Sequence, residues 1–173
     1  MDQISKAILR DLLPVETPIE PPRARAKKYP EAAVLDHLSS PVVLERAAYL
    51  RELARAGDGS ASEVLKEYPQ HAIHLLFRSR DGVAEQHENF ADLFFVLQGR
   101  AALVTGGAIA DAKTVAPGEV RGSAVVGGNR QELRVGDMAH VPAGLPHQMV
   151  VSGDVSVVCI VLKIEQNLGS AEE

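Results

Sequence analysis

The sequence predicts an all-β core, a sandwich or barrel of short strands, preceded by an α-helical N-terminal extension. From His71 onward, short runs rich in Val, Phe, Leu and Ile are separated by turns that contain glycine. Regularly punctuated short strands of this kind are typical of β-sandwiches and barrels. Before Tyr68, apolar residues recur at helical spacing instead. A chain of 173 residues, 46% of them hydrophobic, is long and apolar enough for one domain with extensions.

The first predicted element is a short helix in the run ISKAILRDLL. Ile4, Ile8, Leu9 and Leu12 recur there at helical spacing, and Pro14 stops the helix. Several prolines follow between residues 14 and 30, and they favour an extended arm over a regular helix. Because such an arm cannot build a core, the apolar stripe of the helix must be buried elsewhere.

Two further helices are predicted before the strands begin. Ser40 is placed as an N-cap with Pro41 at the first helical position, and this helix ends before Gly57. Ser60 and Glu63 have the spacing of a capping box, which predicts a second short helix over about 60–67. The chain is thereby divided into a helical extension with a proline-rich arm (1–67), a barrel (68–166) and a disordered tail (167–173).

The predicted strands cover the remainder of the chain, at 71–79, 83–88, 92–98, 100–105, 131–134, 138–141, 147–152 and 155–164. The stretch over 106–130 is longer than one hairpin needs, which indicates an insertion. Long loops over a barrel mouth often carry substrate contacts. We therefore consider a lid in which Arg121 contacts an anion. The alternative is a solvent-exposed loop that carries polar side chains and contacts no substrate.

Composition excludes several functional classes. A net charge of -5 and a pI near 5.7 argue against a nucleic-acid surface, and the short basic run RARAKK is better interpreted as a solvated stretch. The longest apolar run, at 155–162, is far too short to span a membrane. Charged residues among the first eleven argue against a secretory signal, so we expect a cytoplasmic protein. The lone Cys159 lies in an apolar run and is interpreted as a buried structural thiol.

Two segments carry the pattern of a known family. In the second segment, Gly136, Pro142, Gly144 and His147 have the spacing G-x5-P-x-G-x2-H. In the first segment, counting back from Gly99 places possible ligands at three positions, Glu85, His87 and Asp92. Together the two segments resemble the cupin family. The departures are Glu85 in place of a histidine, Asp92 in place of a glutamate, and Val151 in place of an asparagine.

The resemblance implies a double-stranded β-helix, also called a jelly-roll barrel, with a divalent metal ion held at its mouth. Strand geometry agrees, because residues 85 and 87 leave the same face of a strand and a turn can bring Asp92 back opposite them. Glu85, His87, Asp92 and His147 are therefore the predicted ligands. Two imidazoles and two carboxylates suit Fe(II), Mn(II), Zn(II) or Ni(II).

Alternatives remain open at two of the four ligand positions. Asp92 is shorter than glutamate and could instead orient His87 from outside the metal's ligand set. Glu85 could be a ligand, the general base of a reaction, or only a polar barrel residue. In the last case the ligand set reduces to His87, Asp92 and His147.

The predicted cavity wall includes Phe94 and Val96, which share a strand face with Asp92. His140 and Arg121 are further candidate cavity residues. His71 and His74 leave opposite faces of one strand and are interpreted as structural. The alternate residues Leu93, Phe95 and Leu97 are also apolar, so the N-terminal helices or a second subunit must cover that face. Cupins are commonly dimers, so we expect a homodimer.

The resemblance leaves the activity open between two classes. The first is a metal-dependent enzyme acting on a small polar organic molecule, of the dioxygenase, isomerase or lyase type. The second is a noncatalytic protein that binds or senses a small molecule. A fold alone does not choose between them.

Overall fold

A computed structural model describes residues 37–166, and the predicted first helix, proline-rich arm and C-terminal tail lie outside this range. The described residues form one helix, α1 (Ser40–Ala56), and twelve strands. The strands are β1 (Ser60–Tyr68), β2 (His71–Arg78), β3 (Ala84–His87), β4 (Phe90–Thr105), β5 (Ala108–Ala110), β6 (Lys113–Ala116), β7 (Glu119–Gly122), β8 (Ala124–Val126), β9 (Asn129–Arg134), β10 (Met138–Val141), β11 (His147–Val150) and β12 (Val157–Glu165).

Strand β4 joins two antiparallel sheets into one curled barrel. Its first half pairs with β12 on one side and β10 on the other, and β2 and β1 extend that sheet beyond β12. Its second half pairs with β9 and β11, and β3, β7 and β6 extend the other sheet. This arrangement confirms the predicted double-stranded β-helix with a helical segment before it.

The inner faces of the two sheets enclose the main hydrophobic core. Its largest fully buried members include Val141, Val157 and Cys159. Strand alternation is responsible, because Phe94 and Val96 point inward while Phe95 between them is 38% exposed. Cys159 is the buried structural thiol expected from the sequence, and burial raises its pKa to about 12.

Helix α1 covers part of the outer face of the first sheet. Its buried residues Val43, Ala47, Leu50 and Ala54 recur at helical spacing and pack against Leu75, Phe77 and Val158. The predicted helix is confirmed, with the N-cap at Ser39 rather than Ser40. The sheet therefore receives part of its required cover from this chain.

The predicted helix over 60–67 is wrong, because these residues form strand β1. Nearly every residue of β1 pairs with β2, across the turn at Pro69 and Gln70. Ala61 and Leu65 pack beneath α1, and Glu63 accepts a hydrogen bond of 2.8 Å from Arg46 Nε of that helix. Sheet pairing and helix cover outweigh the local capping signal, and the first sheet consequently begins at Ser60.

The two predicted strands at 92–98 and 100–105 are one continuous strand, β4. Gly99 lies within it at φ 73°, and the register with β12 shifts between Val158 and Cys159. The predicted insertion over 106–130 is also more regular than a loop. It contains β5 to β8, and β7 pairs with β3 to continue the second sheet. No helix between residues 37 and 166 is long and apolar enough to cross a membrane.

Candidate metal centre

Cross-strand pairing assembles a polar cluster at one end of the barrel. Glu85 on β3 lies opposite His147 of β11 on one side and Arg121 of β7 on the other. His87 on β3 lies opposite Glu119 of β7. On the first sheet, Asp92 of β4 lies opposite Lys163 of β12. Side chains directly opposite one another on the same face are in contact range. The two sheets then face each other, so that Asp92 and Lys163 meet His87.

His147 presents an unpartnered nitrogen to this space. Its Nδ1 lies 3.1 Å from the backbone oxygen of Leu145. Because a carbonyl oxygen can only accept, Nδ1 carries the proton and Nε2 keeps its lone pair. Nε2 is buried and has no hydrogen-bond partner among the described residues. A buried imidazole fixed in this tautomer is the usual state of a metal ligand.

His87 is oriented in the same way by a carboxylate. Its Nδ1 donates to Glu119 Oε2 at 2.6 Å, which leaves the Nε2 lone pair to accept a hydrogen bond from Lys163 Nζ at 3.0 Å. Burial lowers the pKa of His87, but the carboxylates of Asp92 and Glu119 outweigh burial, so the pKa lies above its ordinary value. Glu119 is therefore the residue that fixes the ring of His87.

Asp92 is a buried carboxylate surrounded by nitrogen atoms. Its two oxygens lie 2.9 and 3.1 Å from Lys163 Nζ. Burial would raise the pKa of Asp92, but the neighbouring imidazoles of His147 and His87 and the ammonium group of Lys163 hold it well below its usual range. Asp92 is consequently ionised across the range in which proteins are normally studied.

The donor set fits a divalent metal ion. Asp92 Oδ2 lies 3.4 Å from His87 Nε2 and 3.3 Å from His147 Nε2. Two ligand atoms that each lie about 2.1 Å from one ion are roughly 3–3.4 Å apart. Glu85 Oε2 is 3.9 Å from His87 Nε2, and ligand atoms of Glu85, His87 and His147 lie within 4.8 Å of one another. Three of the predicted ligands, Glu85, His87 and His147, therefore form a possible metal-binding group, and Asp92 lies beside its two imidazoles.

Lys163 places a positive charge inside the same cluster. Its ammonium group is within hydrogen-bond distance of both His87 and Asp92. A metal ion bound to these two residues would have to displace it. The sequence interpretation missed Lys163. A signal was present, because residues 159, 161 and 163 share one strand face, and a lysine is unusual on a face that points into the barrel.

A cavity of about 300 Å³ adjoins the cluster between the two sheets. The charged lining residues are Arg78, Glu85, Asp92, Arg121 and Lys163, the other polar ones are Ser62 and His74, and the apolar ones are Leu76, Val83, Phe94 and Val161. An outer pocket of about 420 Å³ shares Arg121, Lys163 and His74 with the cavity. These shared side chains therefore separate the cavity from the outer pocket.

The structure divides the predicted cavity residues. Phe94 and Arg121 line the cavity, and Arg121 NH2 lies 3.7 Å from Glu85 Oε2. Val96 instead packs within the core. His140 is exposed on the outer face of the first sheet, because it pairs with Leu93, so its interpretation as a cavity residue is wrong.

His74 lines the cavity rather than serving only as a structural residue. Burial lowers its pKa, and the nearby charge of Lys163 acts in the same direction. His71, on the other face of the same strand, stacks on Tyr68 with ring centroids 4.5 Å apart. The alternation of β2 predicts this division, but sequence alone does not say which of the two faces is inward.

The comparisons with known proteins concern the fold. No protein-family model matches the sequence, and a search of curated proteins finds no match. Among solved structures, the chain is similar to TT1209 from Thermus thermophilus, with 15% identity over 71% of this chain and 94% of that one, at a TM-score of 0.51.

Two other solved structures show weaker structural similarity. A cupin superfamily protein from Desulfitobacterium hafniense is 16% identical over 62% of this chain and 78% of that one, with a TM-score of 0.43. The DMSP lyase DddQ from Ruegeria pomeroyi is 20% identical over 66% of this chain, with a TM-score of 0.46, and the match spans half of that protein's length, 50%. At such identities a shared fold carries no assignment of activity.

Proposed function

We propose that this chain is a metal-binding cupin that acts as a metal-dependent enzyme on a small polar organic molecule, of the dioxygenase, isomerase or lyase type. One observation carries the proposal. His87 and His147 are buried, their Nδ1 atoms are fixed by Glu119 and by the Leu145 carbonyl, and both Nε2 lone pairs face the carboxylates. An apolar core needs no such arrangement, whereas a first-row metal ion does.

Each residue of the cluster has a distinct proposed role. His87, His147, Asp92 and Glu85 would hold an Fe, Mn, Zn or Ni ion, which when bound supplies Lewis acidity or activates oxygen. Glu119 orients His87. Phe94 and the apolar wall of the cavity exclude water from the site. Arg121 neutralises part of the charge of Glu85.

Metal content of variants tests the ligand set. We expect His87→Ala and His147→Ala each to lose stoichiometric metal when the protein is purified without chelator or nickel resin, because each removes one imidazole ligand. His140→Ala is the matched control, since His140 is an exposed histidine of the same barrel. Circular dichroism should show all three folded, because the core does not depend on the ion. Full metal in both ligand variants would overturn the site.

Glu85→Gln separates the roles proposed for Glu85. Of the four predicted ligands it is the least buried, with 26% of its side chain exposed, and it faces the cavity. Weakened metal binding would identify it as a ligand, while normal metal content with lost turnover would identify it as the base. If neither metal content nor turnover changes, the ligand set reduces to His87, Asp92 and His147.

A noncatalytic binding protein is the second candidate function. The favouring observation is Lys163, whose ammonium group supplies the cluster with a positive charge of its own. A site with an internal cation can hold an anionic molecule without a metal ion. Wild-type protein that contains no metal, yet is protected against heating by small anions, would favour this candidate over the enzyme.

We also propose that the chain forms a homodimer through the outer face of its first sheet. Phe95 and Met138 are paired neighbours there, 38% and 58% exposed, beyond the cover of α1. Met138→Glu should therefore produce a monomer in light scattering, because it charges the centre of the buried face. Val126→Glu is the control, since Val126 is about equally exposed on β8, which pairs with β5 in a separate two-stranded sheet. A Met138→Glu protein that remains a dimer would exclude this face.

A further inference from the structure

Arg78 lies on the wall of the cavity beside the cluster and forms no ion pair among the described residues. It ends strand β2 and shares an inward strand face with His74 and Leu76. Its Nε atom is buried and has no hydrogen-bond partner, and no ion pair within residues 37–166 includes it. Burial lowers its pKa, against the opposing charges of Glu85, Asp58 and Asp81. The guanidinium group is therefore a partly buried positive charge with no ion pair of its own.

The other charges of the cavity are already matched. Lys163 holds the carboxylate of Asp92 at 2.9 Å, and Arg121 lies 3.7 Å from the carboxylate of Glu85. His74 adds no charge at neutral pH, because burial and Lys163 lower its pKa. Arg78 is therefore the surplus positive charge of the cavity, and one negative charge from outside the chain would balance it.

The remainder of the cavity wall indicates what kind of molecule would carry that negative charge. Leu76, Val83, Phe94 and Val161 supply an apolar surface beside the guanidinium group. A cavity of about 300 Å³ is at the lower end of the volumes that hold small organic ligands. An inorganic ion would leave the apolar surface without contacts, whereas an organic anion would use both.

We propose that the cavity binds a small organic carboxylate whose carboxylate group pairs with Arg78. The planar guanidinium group matches a carboxylate with two parallel hydrogen bonds, and desolvation by the cavity wall strengthens them. The hydrocarbon part then contacts Phe94 and its apolar neighbours. This inference rests on the proposed function and narrows it, because it makes the small polar molecule an anion anchored at a point separate from the metal ligands.

The test measures protection against heating and binding heat with butyrate, succinate and benzoate. The neutral amide butyramide and inorganic phosphate serve as probes of charge and of ligand class. We expect at least one of the carboxylates to bind wild-type protein and to bind Arg78→Met at least tenfold more weakly. Arg80→Met is the matched control, since Arg80 is exposed two residues further along the chain, and it should bind as wild type does.

Several outcomes would overturn the inference. These are no binding of the three carboxylates to wild-type protein, equal binding to Arg78→Met, equal binding of butyramide and butyrate, or binding of phosphate alone. The ligand-free melting temperature supplies an independent readout. Arg78→Met should melt no lower than wild type, because it removes a partly buried charge that has no ion pair. If it fails to fold, Arg78→Lys, which keeps the charge and loses the two-pronged geometry, takes its place with the same expected loss of affinity.

Metal content separates this inference from the proposed function. The titrations are repeated on chelator-treated protein and on protein loaded with Mn(II) or Zn(II). Binding of a carboxylate through Arg78 in a protein that takes up no metal supports this inference and overturns the metal-dependent function. Stoichiometric metal without carboxylate binding overturns this inference alone.

Discussion

Lys163 is the residue that most distinguishes this site from a simple set of metal ligands. Its ammonium group lies 3.0 Å from His87 Nε2 and 2.9 Å from Asp92 Oδ1. The same atoms that would ligate a metal ion therefore already bind a cation. The side chain is partly exposed, at 32%, toward the outer pocket, so it has room to move aside.

Replacing Lys163 should tighten metal binding. In Lys163→Met the competing ammonium group is absent, and the repulsion between two neighbouring cations is removed, so we expect the affinity for Mn(II) or Zn(II) to rise by about tenfold or more. Competition against a chromogenic chelator measures the affinity. Lys113→Met, at an exposed position of β6, should bind as wild type does. Weaker metal binding in Lys163→Met would show that the lysine supports the ion rather than competing with it.

Residue spacing predicted which side chains converge at the candidate site, but not the side chains that surround them. His87 and His147 occupy motif positions, so the spacing of the two segments was enough to select them. Lys163 and Arg78 occupy no motif position, and only strand parity marks them as inward. The alternation of side chains along a strand identifies inward residues only when one inward face is known. For these two residues, that knowledge came from the pairing of β2 with β12 in the structure.

Among the elements, β4 depends on Gly99 to pass from one sheet to the other. A Cβ atom at this position would lie 1.8 Å from the backbone oxygen of Ser156. The positive φ of 73° further favours glycine. The close approach of the segment before β12 therefore requires the absence of a side chain.

Gly99→Ala should destabilise the protein much more than Gly106→Ala. Both glycines have φ in the left-handed region, 73° and 77°, but nothing lies within 4 Å of the Cβ position of Gly106. We expect Gly106→Ala to lower the free energy of unfolding by about 1 kcal/mol, from backbone strain alone. We expect Gly99→Ala to lower the free energy of unfolding by about 3 kcal/mol or more, because the backbone must shift. Urea unfolding measures both, and equal losses would show that the contact with Ser156 is relaxed without cost.

Element boundaries were predicted well where local chemistry and tertiary packing agree. The helix at Ser40–Ala56 and strand β10 at Met138–Val141 match the expected ranges closely. Strand β1 was missed because the capping-box spacing of Ser60 and Glu63 is a local signal, whereas its pairing with β2 depends on the sheet. The four short strands within 106–130 were missed for a related reason, since three- and four-residue strands carry too little periodicity to detect.

Across the whole molecule, the half-buried His74 and the buried His87 give stability opposite dependences on pH. The pKa of His74 is lowered by burial and by Lys163, with weaker opposing effects from Asp92 and Glu67. The contribution of His74 to stability is present above about pH 6.5, the pKa of histidine in the unfolded chain, and is lost as the pH falls. The pKa of His87 is raised, so its contribution is present below about 6.5 and is lost as the pH rises. The lowered pKa of Asp92 matters only under more acidic conditions.

His74→Gln should therefore reduce the loss of stability on acidification. The measurement compares the urea midpoint of chelator-treated protein at pH 8 and pH 5.5, about 1.5 units above and 1 unit below the pKa of histidine in the unfolded chain. We expect this midpoint to fall less in the variant than in wild type. His140→Gln, which alters an exposed histidine, should follow wild type. If the His74→Gln and wild-type midpoints fall in parallel, protonation of His74 does not contribute to acid destabilisation.

The position of β4 in both sheets bears on how the barrel opens. Its sixteen residues supply hydrogen bonds to four strands, β12 and β10 in one sheet and β11 and β9 in the other. Opening either sheet alone would leave half of β4 without partners on both edges, which makes partial opening costly. Backbone amides of β4 in the two sheets should therefore exchange with deuterium at a common slow rate, set by global unfolding rather than by local fluctuation.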